Sequence, residues 1–191
     1  MKKAILILAV IVMPLMGFGQ SIFDKFEDME GVTSIVVNQK MFNMLVDMQI
    51  NVDDPEAQEM VDMAKSITSL KVLTTDLEDI SSEMMKSVNK YLNNNRLEEL
   101  MRIKDGDQTI KFYVKEGKSD NHVKELLMVV SGLKEITKEQ DITINGQKRE
   151  FETVLLSLTG DIDLKQIAKL TNSMDMPGGE HLEKAGQAKQ N

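Results

Sequence analysis

The chain has 191 residues, with 31 acidic and 23 basic side chains and a formal net charge of -8 at pH 7. Such a chain repels phosphate backbones, and no basic stripe interleaved with aromatic residues offsets the repulsion, so we expect no nucleic-acid partner. It contains no cysteine, which excludes a disulfide framework and a lipid-modified cysteine.

The first 19 residues have the pattern of a signal peptide. Two lysines precede the apolar run 4–15, which is too short to span a hydrocarbon core of about 30 Å. A small-x-small pattern at 17–19 predicts cleavage before Gln20. We therefore expect a periplasmic or otherwise exported protein that is not a lipoprotein and has no transmembrane span after cleavage. An uncleaved N-terminal anchor helix is the alternative.

The next segment is predicted to form a strand and an amphipathic helix. β-branched residues at 32–37 indicate the strand. Apolar residues then recur at helical spacing: Met41, Met44, Leu45 and Met48. Because thioether side chains adapt to irregular surfaces, we expect this stripe to pack in the core or to form an apolar groove, rather than to bind metal.

Two more helices and a short strand complete the first half. Pro55 stands at a helix start, and apolar residues extend that helix to Ile67. Residues 70–74 are a short strand candidate. A capping box that opens at Thr75 starts the third helix, which asparagines at 93–95 end.

The apolar period changes to 2 in the second half, which predicts a sheet. Segments 97–103 and 109–114 flank a turn at Asp105 and Gly106. The second segment alternates between an apolar face, expected to be buried, and a face containing Tyr113, expected to be wet. The unbroken apolar run 126–130 predicts a central strand that is covered on both faces.

The strongest hairpin signal is Asn145-Gly146, which is expected to join 142–144 to a long strand at 148–159. Gly160 is expected to end that strand. A capping box at Asp163 predicts a closing helix after it.

This order of elements predicts an α+β fold, with an antiparallel or mixed β-sheet and helices packed mainly on one face. We expect residues 20–176 to form a single domain and 177–191 to form a polar C-terminal tail. The predicted centre of the sheet consists of Leu126, Met128, Val130, Val154 and Leu156.

The sequence shows no coherent catalytic set. The segment 117–119 lacks the first glycine of a phosphate-binding loop, and neither His122 nor His181 lies near a nucleophile elbow. The 31 carboxylates offer no basis for choosing an acid–base pair. We therefore assign no catalytic residue and no cofactor, and keep an enzyme that uses carboxylates and His122 as an alternative.

Metal binding has one weak set of candidates. Met174, Met176 and His181 offer soft ligands that suit Cu(I). Asp161 and Asp163 resemble the start of a calcium loop, but the rest of that loop is missing, so we interpret them as helix-capping residues.

Several strings of residues carry a family resemblance. They are residues 17–20, 23–26, 32–37, 112–116, 126–132 and 155–164. Together they resemble an exported family of Bacteroidota that is catalogued as domain of unknown function 4252. The resemblance implies a periplasmic or envelope location and genes that neighbour extracytoplasmic-function sigma factors. It supplies no active-site residues. Some relatives resemble lipoproteins, whereas this chain has no cysteine.

The leading functional hypothesis is a non-enzymatic binding or interaction module of the envelope, with a link to envelope stress signalling. Its partner would be an envelope protein. The first alternative is a carrier of an apolar or lipid-like ligand, and the enzyme that uses carboxylates is the second. The sequence leaves the oligomeric state open.

Overall fold

The computed structural model describes residues 22–47, 55–139, 143–144 and 147–167. The predicted signal peptide 1–19 and the tail 177–191 lie outside these residues. The helices are α1 (Ile22–Phe26), α2 (Gln39–Asp47), α3 (Pro55–Ser66), α4 (Glu78–Asn95) and α5 (Lys134–Glu139). The strands are β1 (Thr33–Asn38), β2 (Ile67–Thr75), β3 (Glu98–Asp105), β4 (Gln108–Ser119), β5 (His122–Ser131), β6 (Thr143–Ile144), β7 (Gln147–Lys148) and β8 (Thr153–Asp163).

Six of the strands form one sheet in the order β1-β2-β8-β5-β4-β3. Every neighbouring pair is antiparallel. The last strand in the chain, β8, therefore lies between the pair β1–β2 and the meander β3–β4–β5. The predicted α+β class and its antiparallel sheet are confirmed. In the described part of the chain, no helix is long and apolar enough to cross a bilayer.

The first face of the sheet is covered by α1 and α4. Phe23 and Phe26 of α1, and Met84 and Val88 of α4, are almost fully buried. They pack with residues from the sheet and its flanking loops in one apolar cluster: Leu73, Leu97, Tyr113, Leu127, Val129 and Leu155. Tyr113 is thus buried, and its predicted exposure on a wet strand face is wrong, because α4 crosses that face.

The second face carries a separate cluster. Its buried members are Ile67, Phe112, Val114, Val123, Leu126, Leu158, Ile162 and Leu164. The helices α2 and α3 pack against each other beside this face, and Phe42 of α2 contacts the cluster. Because successive strand residues point to opposite faces, Leu126 and Leu127 belong to different clusters. The predicted central strand, covered on both faces, is confirmed in β5.

The start of α4 differs from its prediction. Thr75 is the last residue of β2 and does not open a capping box. Its hydroxyl donates to the Gly31 carbonyl at 2.8 Å and accepts from the Leu77 N–H at 3.2 Å. Leu77 is the N-cap residue and makes no side-chain capping bond. Ile67, which was expected to close α3, is the first residue of β2.

The end of the chain's long strand also differs. The predicted turn residues Asn145 and Gly146 lie outside the described residues. The strands on either side of them, β6 and β7, form a separate pair, and β8 begins only at Thr153. Gly160 does not end β8, which continues to Asp163. Gly160 has a φ of +148°, and a Cβ at this position would lie 2.2 Å from the Ser66 carbonyl oxygen. The glycine therefore lets β8 pass the end of α3 without ending the strand.

Replacing the adjacent leucines Leu126 and Leu127 separately by alanine tests whether both faces are covered. Both side chains are buried, at 5% and 0% exposure, so each variant should lose about 2–5 kcal/mol of unfolding free energy. Met41→Ala is the control, because Met41 is 47% exposed and should change stability by less than about 0.5 kcal/mol. Urea unfolding measures all three. A neutral result for either leucine would contradict a sheet that is buried on both sides.

Candidate functional site

The predicted metal ligands Met174, Met176 and His181 lie outside the described residues. Within the described ranges, no group of three or more histidine, aspartate or glutamate residues could hold a metal ion. The copper hypothesis thus stays a prediction from the sequence alone.

His122 lies at the start of β5, beside the β4–β5 turn. Its Nδ1 is 3.0 Å from the hydroxyl oxygen of Ser119. The nearby carboxylate, Asp161, is paired with Lys118, whose hydrogen bond holds the pKa of Asp161 below its ordinary value. Because Asp161 accepts from a lysine at an exposed position, it does not serve as the orienting acid of a Ser-His-Asp triad. A shallow cavity of about 220 Å³ adjoins these residues.

Glu125 is a carboxylate buried under α4. The Tyr91 hydroxyl lies 3.0 and 2.9 Å from its two oxygens, and the Ser157 hydroxyl donates to one of them at 3.2 Å. Burial and the Glu125 charge raise the pKa of Tyr91 above its ordinary value. These bonds satisfy the carboxylate, so the arrangement fixes α4 on the sheet rather than presenting an acid to a substrate.

Lys71 of β2 forms a second polar contact on the first face. Its Nζ lies 3.1 Å from a carboxylate oxygen of Asp24 and also pairs with Glu27. Burial lowers the pKa of Lys71, but the hydrogen bonds to Glu27 and Asp24 outweigh it, so the pKa is raised. This lysine ties β2 to α1 through Asp24.

The exposed apolar side chains lie at the β1 edge of the sheet. Ile35 and Val36 of β1 are 53% and 49% exposed, and Met41 and Met44 of α2 are 47% and 51% exposed. We call these four residues the apolar edge. Among the large exposed hydrophobic residues in the described ranges, Leu77 alone lies elsewhere. Ile35 and Val36 lie on opposite faces of the sheet, so the exposed apolar residues follow the edge itself, and exposed apolar surface of this kind is a candidate interaction site.

The exposure of Met41 and Met44 changes the interpretation of α2. The helix begins after Asn38, whose side chain accepts from the Met41 N–H at 3.1 Å. Its contact with the second cluster comes from Phe42, so core packing of Met41 and Met44 is wrong. The alternative, an adaptable apolar surface, fits their positions. Met48 lies outside the described residues.

The two edges of the sheet differ in their protection against strand pairing. The outer strand β3, with sequence EELMRIKD, carries five charged side chains and an irregularity between Glu99 and Met101. The opposite outer strand β1, with sequence TSIVVN, has no charge, no proline and a regular register against β2. Charges and bulges prevent edge-to-edge association of sheets. Only the β3 edge has these features.

Comparison with protein families matches residues 26–170 to the family described as Domain of unknown function (DUF4252). The chain belongs to this family. The family resemblance inferred from the sequence is therefore confirmed. Comparisons with curated proteins and with solved structures found no match. The apolar edge of this DUF4252 protein lies within the matched range.

Sequence reasoning missed the apolar edge, although one signal for it was present. The composition of residues 33–38 shows that this strand has no charged side chain. Its position at the edge depends on the strand order, which brings β8 rather than β1 next to β5. The lack of charge becomes informative only once that order is known.

The Tyr91–Glu125 contact predicts how stability depends on alkaline pH. The folded-state pKa of Tyr91 lies above the ordinary value of 10.0. Its contribution to stability is therefore complete below pH 10 and is lost as the pH rises through the folded-state pKa. In Tyr91→Phe, we expect a loss of about 1–3 kcal/mol at neutral pH, because Glu125 loses a donor, and a weaker decline above pH 10.

Urea unfolding at a series of pH values measures both effects. Tyr113→Phe is the control for the loss at neutral pH, because it leaves the hydrogen bonds of Glu125 in place; burial and Glu99 also raise the pKa of Tyr113, so this variant too should decline less above pH 10. Parallel alkaline declines in the parent protein and in Tyr91→Phe would contradict the assignment.

Proposed function

We propose that this DUF4252 protein is an exported, non-enzymatic interaction module of the cell envelope, and that its partner is a protein which adds a β-strand to β1. The observation that carries the proposal is the apolar edge, where an uncharged outer strand and exposed methionines lie next to each other in the chain. Export is supported by the signal-peptide pattern of residues 1–19. The link to envelope stress signalling is supported by the family resemblance alone.

Strand addition suits the backbone of β1. An outer strand of an antiparallel sheet has one row of N–H and C=O groups that its neighbour does not use. In strand addition, these groups supply main-chain hydrogen bonds, while alternate side chains supply specificity. Ile35 and Val36 are successive residues and point to opposite faces of the sheet. An added strand would therefore cover one exposed apolar side chain on each face.

A surface fits the described residues better than a small-molecule pocket. Two cavities lined by described residues have volumes of about 190 and 220 Å³, one beside Thr74 and one beside His122. Pockets for drug-sized ligands usually enclose about 300–1,000 Å³. The carrier hypothesis would need a larger enclosed volume than these two cavities provide.

Site-specific photo-crosslinking tests the proposal. A photoreactive residue at Val36 should form an adduct with a protein segment, because that side chain would lie against the added strand. A photoreactive residue at Lys104 of the charged outer strand β3 is the matched control and should give no adduct. Peptide mapping should place the captured residues in one extended segment with alternating contacts.

A charge on β1 provides the second half of this test. In a protein that is photoreactive at Val36, Ile35→Lys should abolish the adduct while leaving stability within about 0.5 kcal/mol, because Ile35 is 53% exposed. Lipid adducts instead of protein adducts would replace the proposal with the carrier. An adduct that persists in Ile35→Lys, or that forms equally from position 104, would refute strand addition at β1.

A further inference from the structure

We infer that the strand added to β1 is β1 of a second copy of this chain, so that two copies form one continuous twelve-stranded antiparallel sheet. This inference rests on the proposed function, and it names the partner. Three features of the apolar edge support it: the symmetry of the strand β1, the absence of charged side chains from that strand, and the position of α2.

The strand β1 is complementary to itself. A two-fold axis perpendicular to the sheet pairs two copies of β1 antiparallel and keeps the same faces together, as in an isologous interface. With the axis at Ile35, Thr33 lies opposite Val37, and Ser34 lies opposite Val36. All five residues 33–37 then face uncharged partners on their own side of the sheet. Cross-strand pairs of β-branched residues stabilise such a junction.

Charge favours this place of contact between two copies. The chain has a net charge of -8, so two copies repel each other over most approaches. The uncharged strand removes local repulsion at the junction. With the axis at Ile35, the exposed Glu30 of each copy lies at the end of the strand where the exposed Lys40 of the other copy lies. The ends of the junction are therefore complementary in charge.

The position of helix α2 favours a second copy of the chain over an isolated strand as the partner of β1. The helix contacts both β1 and β2. Because strands are about 4.8 Å apart, a helix axis midway between β1 and β2 would lie about 10 Å from its symmetry mate, close to the usual helix-packing distance. An isolated strand would cover Ile35 and Val36 and leave the methionines of α2 in water. A second copy also brings its own α2 beside Met41 and Met44.

The absence of native cysteine allows a direct test with single-cysteine variants. In Ile35→Cys, the two-fold axis places the cysteines of both copies opposite each other, about 4.5–5.5 Å apart between Cα atoms, which suits a disulfide. We expect a disulfide-linked dimer on mild oxidation. If the axis lies at Val36 instead, Val36→Cys forms it. Lys104→Cys on β3 is the control and should form no disulfide-linked dimer under the same conditions.

Charge complementation tests the same symmetry without a covalent bond. Sedimentation equilibrium of the purified protein should show a species of twice the chain mass that grows with concentration. Ile35→Lys and Ile35→Glu should each shift the protein to monomer, because like charges meet at the axis. Mixing these two variants should restore the dimer. Met44→Lys should raise the dissociation constant, whereas Lys104→Glu on β3 should leave it unchanged.

The outcomes separate this inference from the proposed function. A chain that is monomeric throughout, forms no disulfide at position 35 or 36, and still crosslinks through position 36 to another protein overturns the inference and leaves strand addition in place. A dimer that persists in Ile35→Lys overturns it as well, since the contact then lies elsewhere. If position 36 captures no protein and no dimer forms, both proposals fail.

Discussion

The pairing of β8 with both β2 and β5 holds this sheet together. Without that strand, the pair β1–β2 and the meander β3–β4–β5 would share no hydrogen-bonded neighbour. The register of β8 is fixed by burial on both faces, because Leu155 belongs to the first apolar cluster and Leu158 to the second. A slip of one residue would exchange the two faces, bring Thr153 and Ser157 into the second cluster, and separate them from Ser81 and Glu125. The identity of the two outer strands follows from this central pairing.

Polar contacts beneath α4 position that helix along β8 and β5. The hydroxyls of Ser81 and Thr153 lie 2.6 Å apart in a buried setting, and Tyr91 meets Glu125 about three helical turns further on. In the described residues, no buried side-chain polar atom lacks a hydrogen-bond partner. Networks that are satisfied in this way favour one packing arrangement over others that bury similar apolar area. The buried carboxylate thus contributes to the specificity of the fold.

Local patterns in the sequence predicted most elements, and nonlocal pairing accounts for the errors. The apolar run in β5 and the helical period of α4 are properties of short segments, and both were predicted well. A glycine at position 160 indicates a strand end when only the sequence is considered. Its close approach to the Ser66 carbonyl depends on the neighbour that β8 acquires in the folded sheet, so the sequence alone does not reveal it. For Met41 and Met44, periodicity revealed an apolar stripe but not whether another part of the chain covers it. The apolar edge could not be predicted without the strand order.

The unequal edges of the sheet set a limit on polymerisation. A sheet with two receptive edges can add strands indefinitely, which is how open fibres grow. Here one edge has no charge, while the other carries five charged side chains and a bulge. Once β1 is paired, the remaining outer strands in a symmetric assembly are the charged ones. The addition of further chains to the sheet then stops after a single association step. Pairing through β1 therefore does not lead to aggregation.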